Sequence, residues 1–201
     1  MKKTWALSAI MMSLSLTACS PSESTVSTSP ATATWQQSHL AEFADALIVK
    51  YRLVSNLPEE ACPADAKADE RCFIAEIDFT SPKDMLNRDW EIYFSQMRPV
   101  QTVLNDEFTI ERVKGDLHRM TLTNKFTGFK AGQVKTLRFR GELWQLSETD
   151  FMPNYYIVAK DANGTELAPQ IISSTRVEID ADTGMEVRPY VEAFVDAKRQ
   201  Y

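Results

Sequence analysis

The chain has 201 residues, with 22 Lys and Arg against 28 Asp and Glu, which gives a formal net charge of −6 at pH 7. This acidic balance argues against a protein that binds nucleic acid through a dense basic surface. It is compatible with neutral ligands and implies nothing more specific.

The first 18 residues have the features of a bacterial lipoprotein signal peptide. Lys2 and Lys3 precede a short apolar stretch over residues 5–16, and residues 16–19 (Leu-Thr-Ala-Cys) match a lipobox. We expect cleavage before Cys19 and lipidation of that residue, since acyl chains contribute roughly 0.8 kcal/mol of membrane affinity per buried CH₂. A plain secretory peptide or an uncleaved helix remains the alternative.

Ser20 follows the cysteine, a pattern typical of lipoproteins that are sent to the outer membrane. We therefore expect a cell-envelope protein, an outer-membrane lipoprotein that faces the periplasm or the cell surface and contacts the membrane through its N-terminal lipid. Residues 19–38 are predicted to be a flexible tether, because residues 21–34 are mainly Ser, Thr, Pro and Ala and cannot bury much surface.

Two further cysteines, Cys62 and Cys72, lie ten positions apart. In an oxidising compartment they are expected to form a disulfide, although two independent thiols remain the alternative. A zinc site would need more ligands than the surrounding residues offer. We expect no metal and no cofactor.

From Leu40 onward the apolar residues alternate with period two, the pattern of half-buried strands. Turn residues separate the stretches, and no internal repeat is visible. Seven short strands over about 130 residues are typical of an all-β, two-sheet antiparallel sandwich. The predicted strands are residues 47–54, 73–80, 90–95, 108–113, 119–123, 137–144 and 155–160.

Three motifs are more distinctive than this alternation. They are Trp-Glu-Ile-Tyr-Phe-Ser at 90–95, Asn-Asp-Glu-Phe-Thr at 105–109 with Gly-Asp-Leu-His-Arg at 115–119, and Trp-Gln-Leu-Ser-Glu-Thr-Asp-Phe-Met-Pro-Asn-Tyr-Tyr at 144–156. In sequence and order they resemble the N-terminal domain of bacterial chitobiases, the β-N-acetylhexosaminidases of glycoside hydrolase family 20. The resemblance runs from about Leu40 to about Tyr201.

The resemblance implies a sandwich similar to immunoglobulin-like and cellulose-binding domains over residues 39–170, followed at 171–201 by a linker into a second domain. It also implies an accessory, carbohydrate-binding role in a lipid-anchored enzyme that acts on chitooligosaccharides. Expected partners are chitooligosaccharide or another N-acetylglucosamine-containing glycan, and the catalytic domain of a parent enzyme. The alternative is a stand-alone envelope lipoprotein that binds glycan or another envelope component.

No catalytic residue is predicted. The family's catalytic Asp-Glu pair lies on a TIM barrel of about 250 residues, and the two adjacent pairs here, Asp69-Glu70 and Asp106-Glu107, lack the His-x-Gly context that precedes it. We expect both pairs to lie in solvated turns and the chain alone to be inactive. His118 lies within one of the family's motifs and is expected to be structural.

Exposed aromatic rings are the candidate contacts for carbohydrate or for a neighbouring domain. Trp144 is predicted to share a polar strand face with Arg138 and Arg140, and Tyr93 shares a face with Glu91 and Ser95. One of Tyr155 and Tyr156 must also point outward. Large amphipathic rings suit sugars and protein interfaces alike, so both functions remain open for these residues.

Overall fold

Alternating apolar residues build two antiparallel sheets in residues 34–192, the part of the chain that the computed structural model describes. The strands are β1 (Ile48–Ser55), β2 (Cys72–Thr80), β3 (Trp90–Ser95), β4 (Val100–Val103), β5 (Phe108–Lys114), β6 (Leu117–Leu122), β7 (Val134–Glu142), β8 (Tyr156–Ala159), β9 (Gln170–Ile171), β10 (Glu178–Ile179) and β11 (Glu186–Val187). The helices are α1 (Gln37–Ala46) and α2 (Pro58–Ala61), with single 3-10 turns at Glu148–Asp150 and Ser173–Thr175.

The four-stranded sheet has the order β1-β2-β7-β4, and the five-stranded sheet has the order β5-β6-β3-β8-β9. All paired strands within the two sheets are antiparallel. β10 and β11 form a separate hairpin. The predicted all-β sandwich is therefore confirmed.

The core lies between the two sheets, where each strand contributes its apolar face. Trp90, Ile92 and Phe94 of β3 point inward, opposite Leu137 and Phe139 of β7, and all five are buried. Each such side chain contributes roughly 1.5–3 kcal/mol when it is removed from water. The inner face predicted for β3 is the one observed.

Gly141 in β7 makes room for a large neighbour in this core. It pairs with Phe73 across β2 and β7, and a Cβ atom at Gly141 would lie 2.1 Å from Phe73 Cζ. No side chain fits there unless the ring moves. The small residue therefore allows Phe73 to pack flat over the strand.

Helix α1 was not predicted, and the packed region extends beyond residues 39–170 at both ends. Leu40, Ala44 and Leu47 are buried at helical spacing, and Phe43 contacts the ring of Trp90. Trp35, inside the predicted 19–38 tether, is only 4% exposed, and its ring lies 5.7 Å from that of Phe43. No helix within residues 34–192 is long and apolar enough to cross a membrane.

The free side of β1 is partly covered by the C-terminal segment. Tyr51 N donates to Tyr190 O at 2.7 Å, and Glu192 N donates to Tyr51 O at 2.8 Å. Val49 N donates to Ser174 Oγ at 2.9 Å. Tyr190 is fully buried, so part of the stretch expected to be a linker (171–201) belongs to the sandwich.

A disulfide joins the end of α2 to the start of β2. Cys62 and Cys72 are bonded, with their Cα atoms 5.1 Å apart. Cys72 is fully buried and packs with Ala61 and Ile74 in a small apolar cluster outside the main core. The bond therefore holds the 62–72 loop against the end of the four-stranded sheet at which β2 begins.

Candidate functional site

Two tyrosine rings stack on the outer face of the five-stranded sheet. Tyr93 of β3 and Tyr156 of β8 are cross-strand partners, with ring centroids 5.1 Å apart and planes 4° from parallel. Both strands alternate strictly between buried and partly exposed residues, and both tyrosines occupy partly exposed positions. At this distance the parallel rings form an offset stack, the arrangement that the aromatic quadrupole favours.

The tyrosine pair is the centre of a row that crosses the whole sheet. Glu111 pairs with Arg119, Arg119 with Tyr93, Tyr93 with Tyr156, and Tyr156 with Ile171. Each of the five strands thus contributes one residue. Because all five side chains leave the sheet on the same side, they form a continuous strip that is charged at one end and apolar at the other.

Hydrogen bonds fix the charged half of this strip. Tyr93 Oη donates to Glu91 Oε2 at 2.9 Å, and Arg119 contacts Glu91 Oε2 at 3.4 Å and Glu111 Oε1 at 2.5 Å. Burial, followed by the Glu91 carboxylate, raises the pKa of the Tyr93 hydroxyl, so the group stays a neutral donor. Tyr93 is thereby held in one orientation.

The other half of the strip, Tyr156 and Ile171, combines apolar surface with a hydroxyl group that is available for hydrogen bonds. The Tyr156 hydroxyl has no hydrogen-bond partner among residues 34–192, and Ile171 is 43% exposed. A ligand with an apolar face and polar edges would find matching chemistry here. Sugars have this character.

The structure separates the predicted candidates Tyr155 and Tyr156. Tyr155 is fully buried, between Phe94 at 5.2 Å and Tyr190 at 6.0 Å, so its ring is not available to a ligand. Burial also raises the pKa of its hydroxyl. Tyr155 is therefore removed as a contact candidate, and Tyr156 is the outward ring.

Trp144 is exposed, but not on the predicted strand face. β7 ends at Glu142, and Leu143 has a left-handed backbone with φ 63°, which breaks the alternation that would place Trp144 beside Arg138 and Arg140. Trp144 is 39% exposed, and the Arg71 guanidinium lies 5.5 Å from its ring centroid. The ring thus lies at the end of the sandwich, remote in the sheet order from Tyr93.

His118 has a structural environment. Its ring is buried and stacks on Phe94 at 5.7 Å, and its Nδ1 lies 2.9 Å from Asp116 O. Burial lowers its pKa, so the ring is neutral near pH 7.

Each carboxylate of the Asp106-Glu107 pair forms an ion pair with a lysine. Lys125 Nζ lies 2.8 Å from Asp106 Oδ2, and Lys135 Nζ lies 2.5 Å from Glu107 Oε1. Glu107 also accepts from Thr127 N at 3.2 Å. These contacts hold the turn before β5.

Sequence reasoning missed the partners of the tyrosines. Arg119 and Glu111 were not singled out, and Glu91 was noted only as a residue on the Tyr93 face. The period-two pattern marks all of them as outward-facing, but only the order β5-β6-β3-β8-β9 brings them together. The strand order was the missing information.

Comparison with known proteins identifies a family and several relatives of this chain. A family model described as "Putative carbohydrate binding domain" matches residues 46–201, more than half of the chain. The N,N'-diacetylchitobiase of Vibrio harveyi is 44% identical over 102 residues, covering 50% of this chain and 11% of that protein. β-Hexosaminidase B of Pseudoalteromonas piscicida is 32% identical over 151 residues, covering 74% of this chain and 19% of that protein.

Among solved structures, a GH20 exo-β-N-acetylglucosaminidase of Vibrio harveyi matches with a TM-score of 0.42 and 14% identity, over 63% of this chain and 18% of that one. This chain spans less than a fifth of the curated relatives named above. The family match and these relatives place the chain in a family of carbohydrate-binding domains that is related to bacterial chitobiases and β-hexosaminidases.

Proposed function

We propose that this domain binds chitin-derived oligosaccharides on the outer face of the five-stranded sheet, as the accessory domain of a lipid-anchored β-N-acetylhexosaminidase. The observation that carries the proposal is the stacked pair Tyr93 and Tyr156 at the centre of a strip that all five strands build. The enzymes named above as relatives support N-acetylglucosamine oligosaccharides as the ligand class.

The chemistry of the strip suits a neutral sugar chain. Pyranose rings have an apolar C–H face that packs against aromatic rings and hydroxyl edges that need donors and acceptors. The tyrosines offer the aromatic surface. Arg119 and the Tyr156 hydroxyl offer polar groups in the same row, and Glu91 offers a carboxylate in the neighbouring row of cross-strand pairs. Because the tyrosines stand as an offset stack, a sugar would contact their outward edges and uncovered faces.

A calorimetric titration with chitotetraose tests the proposal. Tyr156→Ala and Tyr93→Ala should each lower the affinity at least fivefold, the effect expected when a residue central to binding is truncated. Trp144→Ala is the matched control, since it removes an exposed aromatic ring from a different end of the sandwich. Each variant is first checked for an unchanged thermal midpoint.

Two results would refute this function. In one, the wild-type domain binds no chitooligosaccharide. In the other, Trp144→Ala loses affinity while both tyrosine variants bind as the wild type does. The second result would move the site to the Trp144 end of the sandwich.

The lipid anchor is a separate part of the proposal. It rests on the lipobox at residues 16–19, and Cys19 lies outside the described residues. Incorporation of labelled palmitate into the wild-type protein, and its loss in Cys19→Ala, would support the anchor. Equal labelling of both proteins would exclude Cys19 as the acylated residue.

A further inference from the structure

A cleft lies beside the tyrosine pair, on the same outer face. Its volume is about 240 Å³, and its lining includes Arg88, Glu91, Thr121, Val158, Lys160 and Glu166. Glu91 and Val158 are cross-strand partners, each two positions from its tyrosine along the strand. At roughly 3.3 Å per residue, this row is about 7 Å from the Tyr93–Tyr156 row.

The cleft and the tyrosines share one carboxylate. Glu91 Oε2 accepts from Tyr93 Oη, whereas Glu91 Oε1 has no partner among the described residues. A ligand in the cleft can therefore bond to the same side chain that fixes the Tyr93 ring. The two features form one continuous site along β3 and β8.

The lining is amphipathic in the way a sugar ring requires. Val158 supplies an apolar surface, and the rim holds both donors and acceptors. Lys160 Nζ has no ion-pair partner in residues 34–192, so its charge is free for a ligand oxygen. Arg88 is anchored on backbone carbonyls, with Phe126 O at 2.9 Å, and not on a carboxylate.

The size of the cleft limits what it can hold. A volume of about 240 Å³ is below the roughly 300–1,000 Å³ of sites that enclose a drug-sized ligand. One sugar residue fits this space, and a longer stretch of glycan does not. The remaining residues of an oligosaccharide would have to lie outside, over the tyrosines.

We infer that the cleft receives one terminal sugar residue of a soluble oligosaccharide whose next residues lie over Tyr156 and Tyr93. This inference rests on the proposed glycan-binding function and adds the ligand's form: a chain end, aligned with β3 and β8. A flat polymer surface could touch the tyrosines but could not enter the cleft.

The test fills the cleft and leaves the tyrosines in place. Val158→Trp puts a bulky ring into the cleft from an outward position of β8. Val134→Trp is the matched control, because it makes the same change at an exposed position of the opposite sheet. Both variants are titrated with chitotetraose beside the wild type and Tyr156→Ala.

We expect Val158→Trp to lower the affinity for chitotetraose at least tenfold and Val134→Trp to change it less than twofold. In NMR spectra, N-acetylglucosamine alone should shift the amide signals of Thr121 and Lys160 in the wild type but not in Val158→Trp. The inference is overturned if Val158→Trp binds within twofold of the wild type while Tyr156→Ala loses affinity. If the wild type binds no glycan, the proposed function fails and the inference fails with it.

Discussion

The two outer faces of the sandwich carry different kinds of polar chemistry. On the four-stranded sheet, Arg52 and Arg138 both bind Glu76, Thr136 donates to Asp78 at 2.5 Å, and Arg140 bonds to a backbone carbonyl. On the five-stranded sheet, the Tyr156 hydroxyl, Glu91 Oε1 and Lys160 Nζ have no partner among the described residues.

This difference separates a surface that stabilises the fold from one that can bind a ligand. Polar groups that satisfy one another have little to gain from a ligand, because each new bond replaces an existing one. A group without a protein partner gives up only its hydrogen bonds to water when a ligand binds. The four-stranded face therefore has the character of a structural surface, and the five-stranded face is the one on which we propose that glycan binds.

The largest stability effect should come from removing the disulfide beside the four-stranded sheet. Replacing Cys62 and Cys72 by Ser should lower the free energy of unfolding by roughly 2–3 kcal/mol, since the bond restricts the unfolded chain. Urea denaturation measures the loss. Glycan affinity at 20 °C should stay within twofold, because the five-stranded face is untouched.

Reductant provides the control for this variant. Dithiothreitol should destabilise the wild type by a similar amount and should leave the double serine variant unchanged. Equal stability of the wild type and the variant would show that the bond does not contribute.

The second effect tests the close packing under the same sheet. Gly141→Ala should cost roughly 1–3 kcal/mol, because the new methyl group would overlap Phe73 and force the ring aside. The double variant with Phe73→Leu should recover part of the loss in urea denaturation. Additive losses would mean that Phe73 is not the obstacle.

A third, smaller effect compares one glutamate from each face. Glu76→Ala should lower stability by about 1–2 kcal/mol, since a nearly buried carboxylate that holds two half-exposed arginines is removed. Glu91→Ala should cost less than about 1 kcal/mol, because its ion pair is one-third exposed.

Affinity for chitotetraose should rank these two variants in the opposite order. Glu91→Ala should weaken binding severalfold by releasing Tyr93, and Glu76→Ala should leave it unchanged. Parallel losses of affinity in both variants would remove the distinction between the faces.

The smallest expected effect is the pH dependence of stability that comes from His118, which is buried on the inner face of the five-stranded sheet. Burial lowers the pKa of His118 in the folded state, so the unfolded chain binds more protons near pH 6. Stability should therefore be complete above about pH 6.5 and should fall as the pH drops below the pKa of an unfolded histidine.

His118→Gln should flatten this pH dependence between pH 7.5 and 5.5 in urea denaturation, whatever its stability at neutral pH. His39→Gln is the control, because that side chain is exposed on α1. An identical slope in His118→Gln and the wild type would contradict the role of burial.

The sequence alone predicts most strands of this fold but not which strands pair with each other. Period-two alternation marks β1, β2, β3 and β5 to β8, because each has one apolar face. It misses β4, where only Val100 and Val103 flank two polar residues, and the two-residue strands β9, β10 and β11. It also misses α1, although Leu40, Phe43, Ala44 and Leu47 follow a helical period.

The site is less accessible to sequence reasoning than the fold. Outward-facing Tyr93 could be identified from its strand, but β3 and β8 are far apart in the chain, and their pairing follows from the whole packing. Trp144 was assigned to the wrong face because the alternation was extended through Leu143. A leucine gives no sequence signal for a positive φ, so the break in the alternation could not be predicted. The cleft joins residues from three strands and two loops and has no linear motif.

The C-terminal residues that bond to Tyr51 have a further consequence. β1 is the outermost strand of its sheet, and an uncovered outermost strand offers its amides and carbonyls to other chains. Tyr190 and Glu192 occupy those groups at Tyr51, and Ser174 does so at Val49. Protein shortened before Tyr190 would lose the part of this shield at Tyr51, and pairing of β1 with strands of other molecules would then promote aggregation.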